Sequence, residues 1–164
     1  DLHRVDRRQR QMCIRDSKYT QSIAEYCCKM LMPRMSSLDI EINIKGFGKD
    51  TNYGYAMAVD EHSKPRVFEL EINKNVKLRR LLTTVAHEMV HIKQYARGEL
   101  YDSKIQGKQG KHRWQGQWLS DRSKHVTDYW DHPWEIEAHG RECGLFVRWC
   151  EEQNLGNQNW TMED

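Results

Sequence analysis

Four segments in the first half of the chain carry apolar residues at spacings that predict secondary structure. Apolar residues recur at helical spacing from Tyr19 until Pro33, which predicts an amphipathic N-terminal helix. Residues 38–44 (LDIEINI) and 67–73 (VFELEIN) alternate strictly between apolar and polar, the period of a half-buried strand. Residues 53–59 (YGYAMAV) are a third strand candidate. We therefore expect one helix followed by a small, mainly antiparallel three-stranded sheet.

Two longer helices are predicted in the second half of the chain. Asn75 can cap the first of them and Gly98 can close it. Its apolar residues step by four, three, four and three, and so form one stripe: Leu78, Leu82, Val85, Met89 and Ile92. The second helix opens at Pro133 and ends near Gly156. Helices and a small sheet in this order predict a single α+β domain.

The first residues of the chain show no periodic apolar face. MCIRDS, residues 12–17, resembles the translated end of an adapter used in sequencing libraries, a known contaminant of environmental gene assemblies, where phage genes are common. The preceding DLHRVDRRQRQ is rich in charge. We expect residues 1–17 to be a non-native or disordered leader, 18–156 to be the folded domain and 157–164 to be a tail. The alternative for the leader is a native, disordered basic arm.

Composition limits the class of protein. A chain of 164 residues, 38% hydrophobic and 30% charged, can bury one core beneath a polar surface. It has no run of about 18 apolar residues and no apolar signal-peptide core, so we expect no membrane span and a cytoplasmic location, the host cytoplasm if the gene belongs to a phage. Five cysteines without a CxxC spacing do not indicate a disulfide framework.

A basic stretch at residues 104–125 is the one candidate for a nucleic-acid interface. The net charge of +2 is too small to imply such a partner by itself. Within the stretch, six basic residues face one acid, Asp121, with Trp114 and Trp118 among them: Lys104, Lys108, Lys111, Arg113, Arg122 and Lys124. Basic and aromatic side chains together can bind DNA by charge and stacking. The alternative is a solvated loop anchored by its tryptophans.

Residues 87–91, HEMVH, place two histidines in the middle of a predicted helix. His87 and His91 lie one turn apart, roughly opposite the apolar stripe, so both imidazoles can bind one ion. Two neutral imidazoles and one carboxylate are typical zinc ligands, which leaves Glu88 free to act as a general base. The alternative is a surface helix that happens to carry two histidines.

The helix that opens at Pro133 supplies acidic residues for a third ligand. Glu135, His139 and Glu142 share one face of that helix at spacings of four and three. Glu137 is turned roughly 200° from Glu135 at about 100° per residue, so the two carboxylates cannot bind the same ion.

HEMVH followed by PWEIEAH resembles the glutamate-type zincin metallopeptidases, or gluzincins, whose downstream helix reads E-x-x-A. The resemblance implies that His87, His91 and Glu135 bind Zn²⁺ and that Glu88 is the catalytic base. Glu137 is the reserve ligand. It also implies a compact zincin-like fold that ends in the third-ligand helix.

Residues 38–150 more widely resemble small SprT-like or related metallopeptidases of phages, although the third histidine and the cysteine zinc ribbon of typical SprT-like proteins are absent. The resemblance implies a protein or peptide substrate, paired with residues 67–73 as the sheet edge. It adds the alternative of a DNA-associated protease that acts on DNA-bound proteins through residues 104–125. A non-catalytic binding domain, stapled by zinc, is a further alternative.

Three residues just before the third-ligand helix are candidates for stabilising an oxyanion, as zincin tyrosines and histidines do: His125, Tyr129 and His132. His132 can instead cap that helix. By the resemblance, His139, which follows Ala138 of the E-x-x-A pattern, occupies the place where the family has an Asp or Asn that hydrogen-bonds to a ligand histidine.

Overall fold

The computed structural model describes residues 2–103, 111–119 and 126–163, except for the side chains of residues 2–16 and 126–128. Its helices and strands follow one another in this order: α1 (Leu2–Leu31), β1 (Asp39–Lys45), β2 (Gly54–Ala58), β3 (Val67–Asn73), α2 (Leu78–Ala96), β4 (Leu100–Asp102), β5 (His112–Trp114), β6 (Gln117–Trp118) and α3 (Pro133–Glu152). The described residues also contain two short 3-10 helices, Val126–Asp131 and Asn159–Thr161. The α+β class is confirmed.

The first sheet is mixed, which corrects the prediction of a mainly antiparallel one. Its strand order is β1-β3-β2, with β1 parallel and β2 antiparallel to β3. The alternating pattern identified each strand and its buried face, but it carries no information on strand order. The connection of residues 46–53 is long enough for the chain to cross to the far side of β3, so that β1 and β3 pair in the same direction.

Strand β3 lies in the centre of this sheet, so the prediction that residues 67–73 form its edge is wrong. The side chains of Phe68, Leu70 and Ile72 are buried beneath the helices, at 1% exposure or less. A strand with so apolar a face is stabilised by a neighbour on each side. The edge beside the helices is instead β2, whose exposed face carries Tyr55 and Met57.

Helix α2 is the centre of the fold. It packs against α1, α3 and the sheet, and every residue from 84 to 94 is buried. The apolar stripe predicts one packed face, with the two histidines on the opposite face. In the structure α3 covers that opposite face, so the polar side chains there are buried as well and must find partners.

The ends of the helices follow local chemistry. The amide of Gly98, which has φ of 71°, donates to the carbonyl of Tyr95, and Glu99 donates to Gln94, the hydrogen bonds of a Schellman motif. The predicted closure at Gly98 is confirmed. Asn75 does not cap α2, since Lys77 is the N-cap residue. Helix α3 ends at Glu152 rather than near residue 156, because Asn154 takes the left-handed conformation first, with φ of 56°.

A second small sheet, β4-β5-β6, was not predicted from the sequence. Its hairpin turns at Gln115 and Gly116, both with positive φ, as a two-residue turn requires. The guanidinium of Arg113 lies 5.0 Å from the ring centroid of Tyr101 and 5.7 Å from that of Trp118. The short, polar strands explain why periodicity did not detect this sheet.

The two ends of the chain bear on the expected boundaries. Helix α1 begins at Leu2, but the side chains of residues 2–16 lie outside the described part, so a non-native or disordered leader stays a prediction. Near the other end, Trp160 stacks on Tyr19 and the carbonyl of Thr161 accepts a hydrogen bond from Arg79.

Among the described residues, no helix is long and apolar enough to cross a membrane.

Candidate metal centre

Packing of α3 against α2 brings three ligand atoms to one point. The Nε2 atoms of His87 and His91 are 3.1 Å apart, and Oε2 of Glu135 lies 3.5 Å from each of them. All three residues are buried, with exposures between 7% and 9%. The structure thus brings together the three residues predicted as zinc ligands, although Glu135 lies 44 positions after His91 in the chain.

Hydrogen bonds on the far side of each imidazole assign the ring tautomers. Nδ1 of His87 lies 2.7 Å from Oε2 of Glu142, and Nδ1 of His91 lies 2.8 Å from Oε1 of Gln94. Because both partner oxygens are acceptors, each Nδ1 carries the proton and donates it. In the neutral rings both Nε2 atoms are therefore acceptors. Two lone pairs and a carboxylate oxygen then converge, an arrangement that a bound proton or a metal ion between them would stabilise.

The spacing of these atoms fits a tetrahedral ion. Zinc binds histidine nitrogen and carboxylate oxygen at about 2.0–2.2 Å, so its tetrahedral ligands stand about 3.3–3.6 Å from one another. The observed separations of 3.1 and 3.5 Å are close to these values. Two imidazoles and one carboxylate also match the ligands that zinc prefers when a fourth position stays open.

The electrostatics of the cluster favour positive charge. Burial by itself lowers the pKa of His87, but the carboxylates of Glu135 and Glu142 outweigh it and raise the pKa to about 9. The pKa of His91 is also raised, because Glu135 and Glu88 outweigh its burial. In the opposite sense, burial raises the pKa of Glu135, but both histidines draw it well below its usual range. The same fields that hold a proton here would stabilise a metal ion.

Glu88 lies beside the cluster without joining it. Its carboxylate accepts a hydrogen bond from the backbone N–H of Ala56 in β2 and lines a cleft of about 220 Å³ together with the three ligand residues. Burial raises the pKa of Glu88, and the nearby histidines offset only part of that rise. A buried carboxylate with a raised pKa is a stronger proton acceptor than a solvated one, as a general base requires.

Glu137, the reserve ligand, points away from the histidines. Its carboxylate lies 2.7 Å from Nζ of Lys93 and 3.0 Å from Nε2 of Gln94, and it also accepts from Arg141. Lys93 is itself buried and lies 2.6 Å from Glu99. Glu137 is therefore engaged in neutralising a buried ammonium group rather than facing the cleft.

The other predicted candidates have separate places. The hydroxyl of Tyr129 donates to Oε2 of Glu135 at 2.6 Å and lines the cleft, while burial and that hydrogen bond raise the pKa of Tyr129. His132 is the N-cap residue of α3 and stacks on Trp134, with no hydrogen bond from its side chain to the cap. His125 lies outside the described residues.

Two residues that orient the histidines were not recognised from the sequence in this role. Gln94 is fully buried and donates to the carbonyl of Trp134 and to Glu137, which leaves its Oε1 to accept from His91. Glu142 accepts the hydrogen bond from Nδ1 of His87. The family resemblance gives this role to the residue at the position of His139 instead. His139 lies 3.3 Å from the same Glu142 oxygen. No local sequence pattern predicts that Gln94 accepts a hydrogen bond from His91. For Glu142 the sequence did give a signal, because it shares one face of α3 with Glu135.

Gly54 lets the edge strand approach the HEMVH helix. A Cβ atom at this position would stand 2.7 Å from Cγ2 of Thr84 and 3.1 Å from Cγ of Glu88. The distance of 2.7 Å to Thr84 is shorter than real Cβ atoms essentially ever show. Gly54 is thus what allows Ala56, two residues later, to reach the Glu88 carboxylate. A glycine within a strand pattern is the sequence signal for such a close approach.

We predict that Gly54→Ala lowers the free energy of unfolding by about 1–3 kcal/mol, because the added methyl group forces β2 away from α2. Denaturant unfolding measures the change. Thr84→Ser removes Cγ2 but keeps the hydroxyl that donates to Arg80, so the double variant should recover part of the loss. Gly140→Ala in α3 is the matched control: nothing lies within 4 Å of its added Cβ, and it should stabilise the protein by about 0.5–1 kcal/mol. Equal effects at both glycines would contradict the close-approach argument.

The basic stretch at 104–125 falls mostly outside the described residues. Of its six basic side chains, the described part contains Lys111 and Arg113. Arg113 lies over two aromatic rings, and Trp118 is 54% exposed. A DNA partner therefore stays a prediction.

The described residues offer two groups of side chains that could hold a metal ion, and His87 belongs to both: the cluster with His91 and Glu135, and a second one with His139 and Glu142. Only the first leaves both Nε2 atoms turned toward a shared centre, because Nδ1 of His87 is already hydrogen-bonded in the second.

Comparisons with models of protein families, with curated proteins and with solved structures found no match for this chain.

Proposed function

We propose that this protein is a zinc-dependent metallopeptidase that hydrolyses peptide bonds, with Glu88 as the general base. One observation carries the proposal. Three buried ligand atoms, contributed by two helices, stand at tetrahedral spacing beside a buried carboxylate that is not one of them. A structural zinc site is closed by four protein ligands, whereas three ligands beside a cleft are typical of a catalytic one.

The residues divide the chemistry between them. His87, His91 and Glu135 would hold the zinc ion, which supplies Lewis acidity toward a peptide carbonyl and lowers the pKa of a water molecule. Glu88 accepts the proton of the attacking water and passes it to the leaving amine. The Tyr129 hydroxyl keeps its proton because its pKa is raised, so it can donate a hydrogen bond to charge that develops on the substrate oxygen.

The position of β2 supports an extended peptide as the substrate. This strand forms the sheet edge beside the cleft, and an edge strand can pair with a peptide through its free main-chain groups. Cavities of about 440 and 500 Å³ lie toward its two ends, the first beside Tyr53 and the second beside Asp60. An extended peptide paired with β2 would run from one of these cavities through the central cleft to the other.

The proposal is tested by measuring zinc content and peptide hydrolysis on the same preparation. We expect one zinc ion per chain by elemental mass spectrometry and cleavage of an unfolded protein substrate. Treatment with 1,10-phenanthroline should reduce cleavage to background, and added zinc should restore it. A protein that retains zinc but cleaves neither unfolded proteins nor a random peptide library would contradict the peptidase proposal, and failure to retain zinc would contradict the metal centre itself.

Three expectations from the sequence remain proposals beside this one. They are membership of the SprT-like proteins, association with DNA through residues 104–125, and a cytoplasmic location. Affinity for DNA that falls steeply as salt is added would support the second of them.

A further inference from the structure

An arginine lines the cavity at the Tyr53 end of the cleft. Arg80 lies on α2 two turns before His87 and therefore on the same side of the helix. Its guanidinium stands 5.6 Å from the ring centroid of Tyr53. The cavity of about 440 Å³ is lined by both residues, by Trp130 and by Glu88 of the candidate site.

The positive charge of Arg80 has no carboxylate partner in the part of the chain that the structure describes. Two acids line the same cavity, Glu88 and Glu142. Glu142 accepts from His87 and lies 3.3 Å from His139, and Glu88 is buried with the backbone of Ala56 as its hydrogen-bond donor. Among the described residues, no carboxylate oxygen lies within 4.0 Å of a guanidinium nitrogen of Arg80, the distance limit for an ion pair.

This arrangement differs from that of the other arginines on the inner elements. Arg66 donates to the carbonyl of Ala96, and Arg79 donates to the carbonyl of Thr161. Arg80 is half-buried and its guanidinium lies over the Tyr53 ring, and among the described residues no hydrogen bond from its side-chain N–H groups is present at the wall of the cavity. A guanidinium cannot lose its charge at any physiological pH, and its planar donors match a carboxylate in bidentate fashion.

The opposite end of the cleft carries the opposite charge. The cavity of about 500 Å³ beyond Ala58 is lined by Asp60, Glu61 and Asp102. A peptide lying along β2 therefore meets positive charge at one end and negative charge at the other, which favours one placement of an acidic residue.

We propose that the cavity around Arg80 binds an aspartate or glutamate side chain of the substrate, at one defined position relative to the cleaved bond. This inference rests on the proposed peptidase function for its consequence, which is specificity. Because a hydrogen bond to a charged group contributes to affinity, we expect Glu at that position to raise kcat/KM by about 10- to 100-fold over Gln.

The test compares peptides that differ only by Glu or Gln, with the substitution moved through the positions on both sides of the cleaved bond. The wild-type protein should prefer Glu at one position. Arg80→Gln should lose that preference, and Arg80→Glu should prefer Lys at the same position. Arg148→Gln is the matched control, since Arg148 is exposed on α3 and away from the cleft. A Glu preference that survives in Arg80→Gln, or cleavage without any preference for acids, would overturn the inference.

Binding separates this inference from the peptidase proposal. The Glu88→Gln protein, loaded with zinc, should bind the best Glu peptide about 10- to 100-fold more tightly than its Gln counterpart, as measured by fluorescence anisotropy. The difference should vanish when Arg80→Gln is added. If the wild-type protein cleaves nothing but this difference is present, the Arg80 pocket for acidic side chains stands and the peptidase proposal fails. Equal affinities for both peptides would refute the pocket whatever the activity.

Discussion

Replacing Glu88 by glutamine should lower kcat/KM for peptide hydrolysis by about 10²–10⁴-fold, the usual contribution of a general base. Glutamine has nearly the same shape, but its amide cannot accept a proton from water. Steady-state rates on one peptide, at matched zinc content, measure the effect.

The zinc content of this variant should be unchanged. Glu88 does not belong to the group of ligand atoms around His87 and His91, and the glutamine oxygen can still accept from the backbone of Ala56. Glu151→Gln, an exposed position on α3, is the control and should behave as the wild type does.

The outcome separates a catalytic zinc site from a structural one. Full activity in Glu88→Gln would place the proton acceptor elsewhere, and loss of zinc would make Glu88 a ligand. In a domain that zinc only staples, the zinc-loaded wild-type protein would have no hydrolytic activity to lose, while both proteins would be equally stable.

Replacing Glu135 by alanine should abolish tight zinc binding. Residues that merely orient ligands typically change metal affinity by 10–100-fold, so the loss of a ligand should exceed about 100-fold. Elemental mass spectrometry after dialysis, and competition with a chromogenic chelator, measure the change.

Glu137→Gln is the matched control for Glu135→Ala. Glu137 lies two residues away on the same helix but faces Lys93 and Gln94. Its replacement should leave zinc content unchanged and lower stability, because a buried ammonium loses a charged partner. The reverse result, with zinc lost in Glu137→Gln and kept in Glu135→Ala, would mean that the register of α3 against α2 is wrong.

Local sequence was sufficient for the main helices, for the strands of the first sheet and for the half of the site that lies on one helix. Alternation identified β1 and β3, and helical spacing identified α2, because burial of one face imposes a period on nearby residues. His87 and His91 follow from the same cause, since residues four apart on a helix project to the same side. Gly98 was identifiable as the end of α2 because few residues adopt positive φ.

Only the tertiary structure decided how these parts meet. The order β1-β3-β2 places β2 at the edge, and nothing in an alternating pattern records which strand lies between the others. The packing of α3 on α2 turns Glu135 toward the histidines and Glu137 toward Lys93. The same packing brings Glu142 within hydrogen-bond distance of His87, although the two residues are 55 positions apart in the chain. Such contacts depend on the relative placement of whole elements, whereas periodicity reports only which face of each element is buried.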